Sequence, residues 1–486
     1  MSAYPNTVHF LGLNKPVRME VAMHDLQIEG RIPADVAGVF FRAVPDPLFP
    51  PLRNDDVILS AEGMISRIEI RNGRASYLLC YVQNERYKAQ IAAGRAIFGA
   101  YRNPYTDDPA AAGVDRSATN TTPVWHGGRL FMTKEDGRAW EINPHTLETV
   151  GKWDYRGKLR SQTMTAHPRI DARTGEMFFF GYEAGGLCSK SIAYCIADAH
   201  GELVSEQWFD APYCAFMHDF ALTESHAIFP VFPTTADLAR VEAGGPHWRH
   251  EMDLDSWIGI MPRYGSVDEM VWIKGPKGVH AYHMMNAYTE GPRVHLDMCL
   301  ADRNLIPFIL EDSGVSLALD GGLTRWTMDL SNPHAGIDEH KIGPFGEMPR
   351  TRDVDQGRNY SYCWYLTIDP NGGKPLHAGP AGVAFNMLLT VDLTSGKIDA
   401  YSIGPGLALG EPVHVPSSQP NSRGWLLAEI CREIGVDQYE QEIWVLSADD
   451  VNAGPVAQIK LPVAGRPQLH GCWVGADSLA QARVRR

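Results

Sequence analysis

The stretch Arg67-Ile-Glu-Ile-Arg-Asn-Gly-Arg-Ala-Ser-Tyr-Leu-Leu79 reads as two short strands around an Asn-Gly turn. Apolar and polar residues alternate on both sides of the dipeptide, and asparagine and glycine accept the positive φ that a tight hairpin demands. The pattern recurs in Leu130-Phe-Met-Thr-Lys-Glu-Asp-Gly-Arg-Ala-Trp-Glu-Ile142, around Asp136-Gly137, and from Leu388 to Tyr401, around Thr394-Ser-Gly396. Looser versions run from Ile192 to Trp208, Met261 to Ile273 and Ile443 to Leu461. Helical spacing is confined to Asn84–Phe98, with apolar positions at Tyr87, Ile91 and Phe98, and to a turn or two at Ala236–Val241. Many hairpins without alternating helices predict an all-β chain and disfavour parallel βαβ architecture. A long series of antiparallel hairpins must close its sheet edges. A propeller does so by radial repetition and is favoured here over a large sandwich.

The chain has 486 residues, 44% hydrophobic and 21% charged, which excludes disorder for its bulk. No Pro/Ser/Gly-rich linker or composition shift divides it, so a single domain over residues 1–486 is expected. Acidic residues outnumber basic ones, 58 to 44, for a net charge of −14. That balance disfavours nucleic acid or an anionic membrane as the main partner. The start, Met1-Ser-Ala-Tyr-Pro-Asn, lacks a basic segment followed by an apolar core, and no run approaches the ~18 apolar residues that span a bilayer. The expectation is a cytoplasmic protein without stable membrane insertion. Eight cysteines with no Cys-x-x-Cys pair read as free thiols rather than a disulfide framework or a thiolate zinc site.

Four of the 18 histidines stand in unusual contexts: Thr165-Ala-His167-Pro, Phe216-Met-His218-Asp-Phe, Tyr282-His283-Met-Met-Asn-Ala287 and Gln468-Leu-His470-Gly-Cys-Trp473. A lone histidine beside apolar residues is usually a satisfied core or surface group, so the argument rests on the set. Counting Glu347 and Glu411 with the histidines gives steps of 51, 65, 64, 64 and 59 residues, which suit one inward-facing polar residue per blade. Imidazoles bind iron, copper, nickel or zinc, and a metal-bound histidine normally donates its other ring N–H to a carboxylate. Four neutral ligands without thiolate point away from structural zinc and towards a redox-active iron with open positions.

These motifs carry a specific resemblance. Thr-Ala-His-Pro-x-x-Asp-x-x-Thr-Gly at 165–175, Met-His-Asp-Phe-x-x-Thr-Glu at 217–224, His-x-x-Asn-Ala at 283–287 and His-Gly-x-Trp at 470–473 stand in order, preceded by Gly38-Val-Phe-Phe-Arg-Ala-Val-Pro-Asp-Pro47. The chain resembles the carotenoid cleavage oxygenases over about residues 30–475, and among them the bacterial lignostilbene dioxygenases. The resemblance implies a seven-bladed β-propeller with a dome of loops and short helices over its axis. It also implies a non-haem Fe(2+) held by His167, His218, His283 and His470, with Glu135, Glu347 and Glu411 behind the histidines. Tyr101 and Lys134 match positions that contact the phenolic hydroxyl of the substrate in lignostilbene-cleaving relatives. Lys134 and Glu135 are adjacent, and strand alternation would send them to opposite faces unless the strand ends there. Two positions depart from the family pattern: Glu62-Gly-Met64 replaces the usual Asp-Gly-Met, and the sequence differs around His414.

The activity implied is cleavage of the central C=C of a phenolic stilbene by O2 into two aromatic aldehydes, and relatives suggest a homodimer. Within the same fold the alternative is an apocarotenoid oxygenase. From another class, a metal-free or calcium-bearing propeller serving as a binding module or lactonase would want a ring of oxygen ligands, which four motif histidines disfavour. His280, three residues before His283, is a rival ligand that lacks the following Asn-Ala.

Overall fold

The computed structural model describes residues 3–311 and 320–483. Among them, α-helix is confined to Glu85–Ala93, Leu238–Glu242 and Ala476–Leu479, and the regular structure is otherwise strands and single 3-10 turns. The chain is all-β, as the hairpin pattern predicts. Its residues group into two compact units, Met1–Trp153 with Leu366–Leu389 and Asp399–Arg486, and Asp154–Tyr365 with Thr390–Ile398.

In the first unit the hairpin of the opening stretch forms between Gly63–Arg71 and Arg74–Tyr81, with Arg71 opposite Arg74. Asn72 at φ 54° and Gly73 at φ 72° give it the doubly left-handed turn whose twist matches the strands. Its sheet runs Val21–Met23, Arg74–Tyr81, Gly63–Arg71, Gly38–Pro45, Gly471–Gly475, so residues from both ends of the sequence share one ladder. Every residue of Gly38–Pro45 is buried. Phe40 and Val44 pack with Leu427, Ile443 and Val445, while Val39, Phe41 and Ala43 pack with Leu130, Met132 and Ile142. A strand covered on both faces reads as a continuous apolar run, and Gly38-Val-Phe-Phe-Arg-Ala-Val does.

The hairpin at 130–142 forms between Arg129–Thr133 and Trp140–Ile142, with Met132 opposite Trp140. The first strand ends at Thr133, so Lys134 and Glu135 lie beyond it and alternation does not separate them. In the second unit, Ser191–Ala197 pairs with Leu203–Asp210, Asp255–Pro262 with Val271–Lys277, and His280–Glu290 with Arg293–Ala301, all antiparallel.

The helices are shorter than their apolar spacing predicts. Asn84 caps Glu85–Ala93 by accepting from the Tyr87 N–H, and Gly94 at φ 65° ends it, leaving Phe98 outside. The second begins at Leu238, because Ala236 belongs to a strand paired with Trp248 and Asp237 supplies the cap. No helix among the described residues is long and apolar enough to cross a membrane.

Candidate metal centre

Three of the four motif histidines converge within the second unit. His218 Nε2 lies 3.0 Å from His167 Nε2 and 3.2 Å from His283 Nε2. Local structure aims each ring. Thr165 Oγ1 accepts the His167 backbone N–H at 3.0 Å, turning the chain just before Pro168. His218 precedes the two-residue strand Ala221–Leu222. His283 sits in the strand His280–Glu290 inside the first of its two register shifts, Ala281/Met284, with the second, Met284/Asn286, just after it. Such bulges re-aim a side chain that regular alternation would point elsewhere.

One ion pair ties the three segments together. Arg169 donates to both oxygens of Asp219, at 2.7 and 2.6 Å, and through Nε to the Phe220 carbonyl at 2.9 Å. Asp219 in turn accepts the backbone N–H of Phe220 at 2.7 Å and of Met284 at 2.8 Å. Arg169, Asp219 and Met284 are two, one and one residues beyond His167, His218 and His283, so a single carboxylate registers all three. The Asn of His-x-x-Asn-Ala has a comparable task. Asn286 donates to the carbonyls of Asp355 and Arg358 and accepts from the Gly357 N–H.

Glu347 Oε2 meets His283 Nδ1 at 2.5 Å, both groups being buried. A carboxylate at Nδ1 keeps the proton there and leaves Nε2 as a lone pair aimed at the other rings. One shared proton can satisfy only one nitrogen pair at a time, whereas a cation satisfies all three. Nitrogens about 2.1 Å from a common ion and separated by ~90–100° would stand about 3.0–3.2 Å apart, which is the spacing present. Tetrahedral angles would demand more. The other oxygen of Glu347, Oε1, is buried without a hydrogen-bond partner, a placement that a nearby cation would compensate. The donor set fits a transition metal with open positions.

In the first unit, His470 and Glu411 repeat the pairing. Glu411 Oε1 lies 3.1 Å from His470 Nδ1, and its Oε2 accepts the Gly471 N–H at 2.9 Å. The Gly after His470 is sterically required: a Cβ there would stand 2.6 Å from the Phe40 ring.

Tyr101 and Lys134 also meet in the first unit. Lys134 Nζ lies 5.5 Å from the Tyr101 ring centroid and donates to Asn120 Oδ1 at 3.1 Å. Lys134 is 2% exposed, and Tyr101 is half-buried with its hydroxyl oxygen turned inside. Burial lowers the Lys134 ammonium from its usual 10.5 and raises the Tyr101 hydroxyl well above 10, the charge of Glu135 adding to the rise. Glu135 is itself buried.

Other histidines are otherwise engaged. His280 bonds Thr234 Oγ1 at 3.1 Å, and His250 spans Thr234 Oγ1 and the Gly278 carbonyl, both at 2.9 Å. The departure at Glu62 is absorbed locally: it pairs with Arg86 at 2.8 Å and accepts the Leu48 N–H. Sequence reasoning passed over Arg169, Asp219 and Asn120. Asp219 was visible inside Met-His-Asp-Phe as a charge between apolar neighbours; Asn120 carried no local signal.

Residues 14–475 match the Retinal pigment epithelial membrane protein family. The chain belongs to that family, the carotenoid cleavage oxygenases. It is 36% identical over 489 residues to lignostilbene-alpha,beta-dioxygenase isozyme III of Sphingomonas paucimobilis, covering 99% of each chain. It is also 36% identical over 478 residues to an isoeugenol monooxygenase of Pseudomonas nitroreducens, covering 96% of this chain and 98% of that one. The crystal structure of a Pseudomonas brassicacearum lignostilbene dioxygenase superposes with a TM-score of 0.92 at 35% identity, over 98% of this chain and 100% of that one. The protein is an enzyme, an oxygenase of the type that cleaves carbon–carbon double bonds.

Proposed function

We propose that the protein is a non-haem Fe(2+) dioxygenase that cleaves the alkene of a 4-hydroxystilbene into two aromatic aldehydes. The observation that carries the reading is the convergence of three imidazole nitrogens at 3.0 and 3.2 Å, one of them locked by Glu347. His470 is the fourth ligand in this reading, supported by its Glu411 partner and its His-Gly-x-Trp motif; Glu135 joins Glu347 and Glu411 as an outer carboxylate. The seven-bladed propeller with its dome, a single oxygenase domain, a cytoplasmic location and a homodimer belong to the same proposal.

When bound, Fe(2+) supplies the one-electron chemistry that lets O2 react with an alkene. The chain's own residues select and prepare the substrate. Lys134 is a buried ammonium that gains most from an anionic neighbour, and a para-phenol offers one: Nζ–H donates to the phenol oxygen, and the positive charge beside it polarises the phenol towards phenolate. Tyr101, whose hydroxyl is held protonated by burial, donates to the same oxygen. Phenolate electron density then reaches the alkene by conjugation, which makes a planar para-hydroxylated substrate a requirement of reactivity. The relative named for isoeugenol supports a second substrate of the same class, a 4-hydroxyphenyl propene. Oxygen uptake by iron-loaded enzyme with paired 4-hydroxy and 4-methoxy stilbenes, and with isoeugenol, tests the reading. Equal turnover of the hydroxy and methoxy compounds refutes phenol activation and favours the apocarotenoid alternative.

A further inference from the structure

Apart from the histidine cluster, the second unit holds another group of metal-ligating side chains. Glu183, Cys188 and His247 each offer a donor atom within 4.8 Å of the others. Glu183 is 3% and His247 2% exposed, whereas Cys188 is half-buried. His247 Nε2 stands 3.1 Å from Glu183 Oε1 and 3.2 Å from Oε2. The Cys188 backbone N–H donates to Glu183 Oε1 at 2.5 Å, so the turn carrying both residues is folded back on the carboxylate.

We propose that Glu183, Cys188 and His247 form a second metal site that takes a divalent cation of the zinc class, with water in the fourth position. Charge selects the valence. A thiolate, a carboxylate and a neutral imidazole carry two negative charges, and a divalent ion leaves the largely buried site neutral. Donor chemistry selects the class, because mixed sulfur, nitrogen and oxygen ligands suit zinc, while calcium and magnesium want oxygen alone. A nitrogen and an oxygen each about 2.1 Å from a tetrahedral ion stand about 3.4 Å apart, so the imidazole and carboxylate, now 3.1 and 3.2 Å apart, need part by only a few tenths of an ångström, and the thiol closes by rotation about its Cα–Cβ bond. Binding sheds one proton, from the Cys188 thiol, and shifts the neutral His247 from the tautomer whose Nε2–H faces Glu183 to the one protonated at Nδ1, which frees the Nε2 lone pair. Three protein ligands and a partly exposed thiol leave a position open to solvent, the pattern of an exchangeable site. His247 is followed by Trp248, which stacks on Phe216 at 5.1 Å, two residues before His218. An ion here therefore stiffens a wall close to the histidine cluster.

The test uses the full-length protein, stripped with a chelator and reloaded anaerobically with Co2+. A sulfur-to-cobalt charge-transfer band is expected in the wild type, and a histidine cluster without sulfur contributes none. Cys188→Ala and His247→Ala should each lose the band and bind one equivalent less Co2+ than wild type. Cys188→Ser, nearly isosteric, should lose the band too and covers the case of an alanine variant that fails to fold. Absence of the band from wild type overturns the proposal without any variant, and so does a band that survives Cys188→Ala.

Discussion

Removing the Glu347 carboxylate should loosen the metal without unfolding the chain. Glu347→Ala strips the acceptor from His283 Nδ1, 2.5 Å away and buried. The imidazole then loses a charge-assisted hydrogen bond, ~1.5–3 kcal/mol, along with the fixed tautomer that leaves Nε2 free to ligate. Loss of such an outer partner lowers metal affinity or activity by about 10–100-fold, the equivalent of ~1.4–2.7 kcal/mol. Glu347→Gln keeps an acceptor of similar shape but no charge, and should fall between, at about 3–10-fold, because neutral hydrogen bonds have roughly half the strength of charged ones. The assay is iron release: load the three proteins, add excess chelator and follow iron leaving, with far-UV circular dichroism as the control for folding. The expected order of retention is wild type, then Gln, then Ala. An alanine variant that holds iron as tightly as wild type would refute the pairing as a determinant of the site. Equal release from Gln and Ala would refute the role assigned to charge.

His283→Ala should lose iron and all cleavage, while His226→Ala, whose ring meets Ser225 Oγ, keeps both; metal analysis and oxygen uptake decide. Asp219→Asn should weaken iron retention and lower the melting temperature together, since breaking a buried ion pair costs ~3–5 kcal/mol and this one registers three segments; an unchanged thermal melt would count against the clamp. Lys134→Met should keep its iron, lose most cleavage of 4-hydroxystilbenes and melt no lower than wild type. The sign follows from burial: the lysine's value lies below 10.5 in the folded protein, so protonation opposes folding at lower pH, and the penalty fades as pH rises through the lowered value. Methionine removes the penalty altogether, and a calorimetric melt series against pH would show the wild-type slope absent from the variant.

What the sequence determined by itself was local. Alternation over five or six residues and the positive φ of Asn72-Gly73 sufficed to place the hairpins, because both are set by neighbours along the chain. The histidine motifs were legible for a similar reason: Pro168, Asp219 and Gly471 sit beside the residues they position, so each motif carries its own steric and hydrogen-bonding logic. Lys134 was legible as a residue, but its setting was not. That it lies past the end of its strand, inside the protein and bonded to Asn120, depends on where Thr133 stops pairing. Only the tertiary structure decided the contacts between distant segments: Gly471–Gly475 completing the ladder of Gly38–Pro45, Arg169 and Asp219 reaching Met284, the bulge at His283 against its partner strand, and Glu183 and Cys188 facing His247. Such contacts join residues tens to hundreds of positions apart, and no short window records them. They are selected by which faces can be buried together and which buried polar groups can be satisfied at once, a condition that exists only when the whole chain is packed.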